Sequence, residues 1–298
     1  DFVTFSSATA VGGLTLNGEF QISLGSLSAA NTYTITASSA ASSSATGGGT
    51  VSAAYQINVG NAFATLLSGW GASSWGSGAW NVGESSTAPV RFFTQSNFGE
   101  ALIFGHEGGR LYYWDATNGV GTRAVELSSL SGASDVPVVQ NLILVSDISR
   151  FVFCFGTNPI GSSTLDPTLL RWSDQEDATN WTPSATNQAG SLRLSRGTKI
   201  ISATTARQEV LVWTDSSLYS LQYVGAPATL VGENISISSQ NAVAYANGVA
   251  YWMGKDKFYI YDGRTQTLKC DVRKYVFNDL DTNQFAQVVA GTNEGFHE

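Results

Sequence analysis

Three stretches of the chain repeat one hairpin, and that repetition restricts the fold more than any other feature. Glu100–Asp115, Glu209–Tyr223 and Gly248–Asp262 each pass from an apolar strand through a short polar or glycine turn into a second strand that opens Leu-Tyr or Phe-Tyr. The pairs Leu111-Tyr112, Leu218-Tyr219 and Phe258-Tyr259 set the register, with spacings of 107 and 40 residues. Units of about 40 to 50 residues suit the four-stranded blade of a β-propeller. The wider gap has room for one more blade, for which Asn141 to Phe155 and Leu169-Leu170-Arg171-Trp172 supply strands. Phe285 to Phe296 is expected to open a further blade that the chain does not finish. The propeller is therefore read as incomplete, with edge strands that need cover from further sequence or from neighbouring copies.

Composition supports an all-β chain. Only 13% of the 298 residues are charged, about half the usual share, whereas glycine (31) and serine are plentiful. No Lys or Arg precedes Arg91, and that break marks a separate unit over residues 1–60. Within it, Phe20, Ile22 and Leu24 alternate with polar residues, as do Val51, Ala53, Tyr55, Ile57 and Val59, the period of half-buried strands. Asn17-Gly18 is read as a hairpin turn, and the Ser/Ala/Gly tract from Ala37 to Thr50 as a mobile surface loop. The expectation is a small sandwich or barrel over 1–60, a Gly/Ser/Trp-rich connector over 61–90, and the propeller-like region over 91–298.

The connector spaces Trp70, Trp75 and Trp80 five residues apart. Five matches neither the helical nor the strand period, so the rings need not share a face. They read as anchors that plug gaps between units, or as a contact surface for sugar or a partner protein. No apolar run is long enough for a membrane-spanning helix, and no signal peptide is visible. A start at Asp1 on a strand-like segment and an end at Glu298 without a terminating signal suggest the middle of a longer protein.

Chemistry is sparse. His106 and His297 are the only histidines and lie far apart, so neither has converging partners for a base or a zinc site. Cys154 and Cys270 sit in strand-like runs and read as buried small hydrophobes. Neither a nucleophile elbow nor a phosphate-binding P-loop occurs. The most motif-like stretch runs from Arg171 through Ser173, Asp174, Glu176, Asp177, Asn180 and Trp181 to Pro183. Its carboxylates lack the alternating ligand spacing of a calcium loop, and they lie on one turn, whereas a glycosidase fixes two across a sugar. The stretch is similar to the Asp-box of sialidase-like propellers, which implies structural roles for Ser173, Asp174, Asp177 and Trp181. Arg193, Arg196, Lys199 and Arg207 make the most basic window, read as solvated strand faces and subunit contacts or as a ring of phosphate contacts. No cofactor or metal is expected, and no catalytic residue.

Several segments together point to a family. Asp1 to Ser6, Val11-Gly12-Gly13-Leu14, Asn31 to Thr36, Ala45 to Thr50 and Ala54 to Ile57 resemble the insert domain of large tail proteins of short-tailed bacteriophages. The glycine-tryptophan connector, Arg171 to Asp174, Asn180-Trp181 and Gly291 to Glu294 look like their propeller region. These are the tail nozzle, tail tube B or packaged-DNA stabilisation proteins.

That resemblance implies a homo-oligomeric, commonly hexameric ring in the virion tail, assembled in the host cytoplasm and placed below the portal and adaptor. The viral double-stranded DNA passes through such a ring and is held there without sequence specificity. A net charge of −8 and a pI near 4.7 suit a lumen along which phosphates slide. The competing readings are a tail adhesin that binds host-surface glycan through Trp70, Trp75 and Trp80, and a sialidase-like hydrolase acting through Asp174, Glu176 or Asp177.

Overall fold

The structure, a computed structural model, describes residues 2–23, 32–56, 92–146, 149–222 and 229–293. The connector 61–90 with Trp70, Trp75 and Trp80 lies outside the described residues, as do Leu24, Ile57, Val59 and His297. Contacts divide the chain into two units, Asp1–Gly60 and Asn61–Glu298.

In the first unit, β1 (Phe2–Ser6) is the centre of an antiparallel sheet between β2 (Gly18–Gln21) and β3 (Ser52–Gln56). Val3, opposite Phe20 and Tyr55, is fully buried. The described residues form this single three-stranded sheet, with no second layer and no closed barrel. The reason is chemical: Ala37 to Thr50 has almost no side chain to bury in a second sheet. The tract is instead pinned along its backbone, Ser42 N–H to the Gly12 carbonyl at 2.8 Å and Thr9 N–H to the Gly48 carbonyl at 2.9 Å.

The tight turn also falls elsewhere than expected. Gly12-Gly13, with φ of +55° and +81°, closes Val11 onto Leu14, two positive values that only glycine adopts freely. Asn17 does a different job. Its side-chain carbonyl accepts the Ala8 N–H at 2.9 Å and closes the long β1–β2 loop. An Asn-Gly hairpin does occur at Asn247-Gly248, with φ of +54° and +85°.

Among the described residues, the second unit is one motif four times over. Its sheets are β4–β7 (Phe93–Phe98, Ala101–His106, Tyr112–Trp114, Val125–Glu126) and β8–β11 (Gln140–Val145, Val152–Thr157, Asp166–Trp172, Gly190–Arg193). They continue as β12–β15 (Ile200–Thr205, Val210–Thr214, Ser217–Leu221, Thr229–Glu233) and β16–β19 (Val243–Ala246, Val249–Met253, Phe258–Tyr261, Thr265–Leu268). Every sheet is an antiparallel meander in chain order. The three repeated hairpins are β5–β6, β13–β14 and β17–β18, and the segments expected to fill the gap form β8, β9 and β10.

Alternation within each inner strand explains how the sheets stack. In β8, Ile143 and Val145 pack with Ile103 and Leu111 of the first sheet, while Leu142 and Leu144 pack with Ile200 and Val212 of the third. In β13, Val210 and Val212 face the second sheet, and Leu211 and Trp213 face Trp252 and Tyr259 of the fourth. β13 and β14 are buried at every position; β13, covered on both sides, reads as a continuous apolar run, whereas β14 buries Ser217 and Ser220 among its apolar residues. The Leu-Tyr register now has a meaning. Leu111 and Leu218 point toward the following sheet, and Tyr219 and Tyr259 toward the preceding one.

β8 is an edge strand of its sheet, and hydroxyls cover it. Thr94 Oγ1 accepts the Ile143 N–H at 3.0 Å and Ser96 Oγ the Val145 N–H at 3.1 Å, so β4 caps its neighbour through side chains. Thr94→Val, of nearly the same shape, leaves the Ile143 N–H unpaired and lowers stability by about 1–3 kcal/mol. Amide exchange at Ile143 should accelerate accordingly; protection equal to wild type would show that the hydroxyl contributes nothing.

After β19 the chain turns helical, with α1 over Arg273–Asp279 and a 3-10 stretch over Thr282–Gln287. The strand expected from Phe285 does not form among the described residues. Phe277 of α1 packs on Phe258 at 5.3 Å between ring centroids, so this segment lies against the outer face of the fourth sheet. Cys270, just beyond edge strand β19, is only half-buried rather than a core residue.

Candidate functional site

The Asp-box-like stretch leaves β10 at Trp172 and folds into a dense turn. Ser173 is fully buried; its N–H donates to the Val152 carbonyl at 3.0 Å and its Oγ accepts the Val152 N–H at 3.1 Å. Asp174 Oδ1 accepts the N–H groups of Gln175 at 2.8 Å and Gln188 at 2.9 Å. Asp177 Oδ1 accepts both the N–H and the hydroxyl of Thr179, at 2.8 and 2.6 Å. Glu176 sits exposed at the tip with φ +60°. Asp177 makes an Asx turn with Thr179, while Asp174 ties Gln175 to Gln188 across the loop, and both supply backbone groups with partners strand pairing cannot give. The carboxylates of Asp174 and Asp177 thus point into their own loop rather than across a cleft.

Trp181 is the anchor of the turn. It is 1% exposed in the core between the first and second sheets, and its indole N–H donates to the Ala178 carbonyl at 2.8 Å. Its backbone pairs with Ser134, N–H to carbonyl at 3.0 Å, which joins the turn to the β7–β8 connection.

Beneath it lies a residue whose role the sequence conceals. Arg171 is 1% exposed and donates to three backbone carbonyls, Asp135 at 2.6 Å, Asn158 at 3.2 Å and Trp181 at 3.5 Å. Its guanidinium lies 5.9 Å from the centre of the Trp181 ring. Burial lowers its pKa, partly offset by the neighbouring Cys154 and, to a smaller extent, Asp135. A charged residue between Leu170 and Trp172 is the one sequence signal for this site, an ionic group interrupting an apolar strand.

Two of the four basic residues of the window pair with carboxylates. Arg193 pairs with Asp166, and Arg196 with Glu233 at 3.5 Å. Lys199 and Arg207 flank opposite ends of six-residue β12, a separation of about 20 Å along the strand. His106 is the last residue of β5, opposite Phe93, with Nδ1 at 3.0 Å from the Glu107 carbonyl. Burial pushes the Cys154 thiol far up, against a smaller opposing effect of Arg171, so it stays protonated. No group of three or more His, Cys, Asp or Glu side chains suited to a metal occurs among the described residues.

Asp215 illustrates how the loops are held at neutral pH. Burial tends to raise its pKa, but hydrogen bonds from Thr198 Oγ1 and N–H, both at 2.7 Å, outweigh it and hold the carboxyl below the ordinary range. A carboxyl with a depressed folded pKa stabilises the fold above its unfolded value, and that contribution fades as pH falls through the folded one. A chemical-shift titration should place the Asp215 midpoint below that of an unstructured aspartate. A midpoint at or above it would contradict these bonds.

No family model matches the chain, and no curated protein does. Similar solved structures include the extracellular domain of BT4673 from B. thetaiotaomicron, at 16% identity and TM-score 0.40, over 60% of this chain and 22% of that one. BBS1N in complex with ARL6DN is similar at 9% identity and TM-score 0.38, over 60% and 54%. KlHsv2 with one loop replaced by a Gly-Ser linker is similar at 9% identity and TM-score 0.35, over 56% and 47%. The chain spans between about a fifth and about half of these proteins. Likeness at this level carries neither fold nor function across.

Proposed function

We propose that the chain is a structural subunit of a bacteriophage tail, of the nozzle or tail tube B kind, whose copies form a ring that retains the packaged DNA and conducts it at delivery. In this reading the four sheets of the Asn61–Glu298 unit are blades of a β-propeller. The supporting observation is the fourfold repetition of one meander, with a Leu-Tyr or Phe-Tyr pair at the third strand in three of the four sheets. The residues most suggestive of chemistry, Asp174 and Asp177, each use Oδ1 to accept from donors of their own loop, three backbone N–H groups and the Thr179 hydroxyl.

Two further features fit assembly. The preceding face of the first sheet carries Phe93, Phe104 and Tyr112, with Phe104 stacked on Tyr112 at 5.7 Å, and Tyr112 occupies the place of the buried Tyr219 and Tyr259. A face so constructed is suited to cover by another layer. The acidic balance, −8 overall, suits a conduit that must not bind phosphates tightly.

Particles produced without this chain test the reading. They should package DNA and then lose it, so that nuclease-resistant DNA per particle falls. Full retention and delivery by such particles, or a defect confined to adsorption on host cells, would contradict it and favour an adhesin.

A further inference from the structure

A cleft of about 330 Å³ opens beside the Asp-box-like turn, at the lower end of the range for small-molecule sites. Arg171 lines it, with Asp135, Asn158 and Ser162 as the other polar groups and Val136, Val138 and Ile160 as the apolar wall.

The electrostatics of Arg171 are unusual. Buried charges normally carry a counter-ion, yet no carboxylate lies within ion-pair distance of this guanidinium among the described residues. Its hydrogen bonds go to neutral carbonyls, and Nε has no partner. A guanidinium offers five N–H donors, so donors outnumber the acceptors that the loops provide. Asp135, at φ +49°, gives Arg171 its carbonyl while its carboxylate accepts the Thr182 hydroxyl at 2.6 Å. That carboxylate is near enough to offset part of the positive field but does not pair with it.

We infer that this cleft binds a small monocarboxylate, its carboxylate toward Arg171 and its aliphatic part against Val136, Val138 and Ile160. Asp135 sets the charge preference: a single carboxylate can face Arg171, whereas a second negative charge would meet the Asp135 carboxylate that also lines the cleft. The site stands apart from the ring reading and needs no assembly.

Saturation-transfer NMR and calorimetry on the full chain test it with three probes: butyrate, butanol as its neutral counterpart, and inorganic phosphate. Butyrate should bind with Kd of about 1 mM, and butanol and phosphate at least about tenfold more weakly. Ile160, 44% exposed at the lip, can be enlarged without entering the core. Ile160→Trp should abolish butyrate binding and leave the melting temperature unchanged. Arg171→Gln, which keeps two donors without the charge, should weaken butyrate at least about tenfold. Equal binding of butyrate and butanol, butyrate binding that survives Ile160→Trp, or no binding of butyrate to the wild-type chain overturns the proposal.

Discussion

Replacing Trp181 by alanine is expected to destabilise the Asn61–Glu298 unit by about 3–5 kcal/mol, the range for removing a fully buried indole from a core. Two mechanisms add. The ring fills the interface between the first and second sheets beside Val136, Ile143 and Cys154, so its loss leaves a cavity that rigid strands cannot close. Its indole N–H also satisfies the Ala178 carbonyl. Trp181→Phe separates the two, because it keeps most of the volume and strands the carbonyl, at a cost of about 1–3 kcal/mol. Denaturant unfolding measures both. If Trp181→Ala shifts the midpoint by no more than a surface substitution does, the turn is not the anchor described above.

Trp213 provides the contrasting case. It is fully buried between the third and fourth sheets, 5.3 Å from the Trp252 ring, and its indole N–H has no hydrogen-bond partner. Trp213→Ala should again cost about 3–5 kcal/mol. Trp213→Phe, however, should cost less than about 1.5 kcal/mol, since it removes an unsatisfied donor along with some volume. The prediction is thus a difference between two tryptophans of equal burial. Equal penalties for the two Phe variants would mean that the Ala178 bond contributes nothing.

The hairpins were legible because two independent patterns coincide in them, apolar runs of strand length and turns at glycine or short polar residues. Strand β13, Val-Leu-Val-Trp-Thr, shows why such a run is continuous rather than alternating: both of its faces are covered. Edge strands were harder to read. β7 has two residues, and β19 is Thr-Gln-Thr-Leu, so neither has a periodicity long enough to register. At Phe285 the expected continuation of the repeat fails, and a 3-10 turn forms over Thr282–Gln287 instead. α1 gives little warning, being seven residues long with no side-chain cap at Val272.

Within the candidate site, Ser173, Asp174, Asp177 and Trp181 were visible as a spacing. Arg171 was marked only by its place between Leu170 and Trp172, and its role appears once the carbonyls of Asp135, Asn158 and Trp181 are brought around it. Those three come from separate connections, 10 to 36 residues away along the chain. The pairing of Arg193 with Asp166, 27 residues apart, was hidden for the same reason.

Electron microscopy of the purified, assembled protein tests the conduit reading most directly. The account predicts closed rings, six-fold in projection, with a central channel. A monomer, or a trimeric spike without a channel, would contradict it.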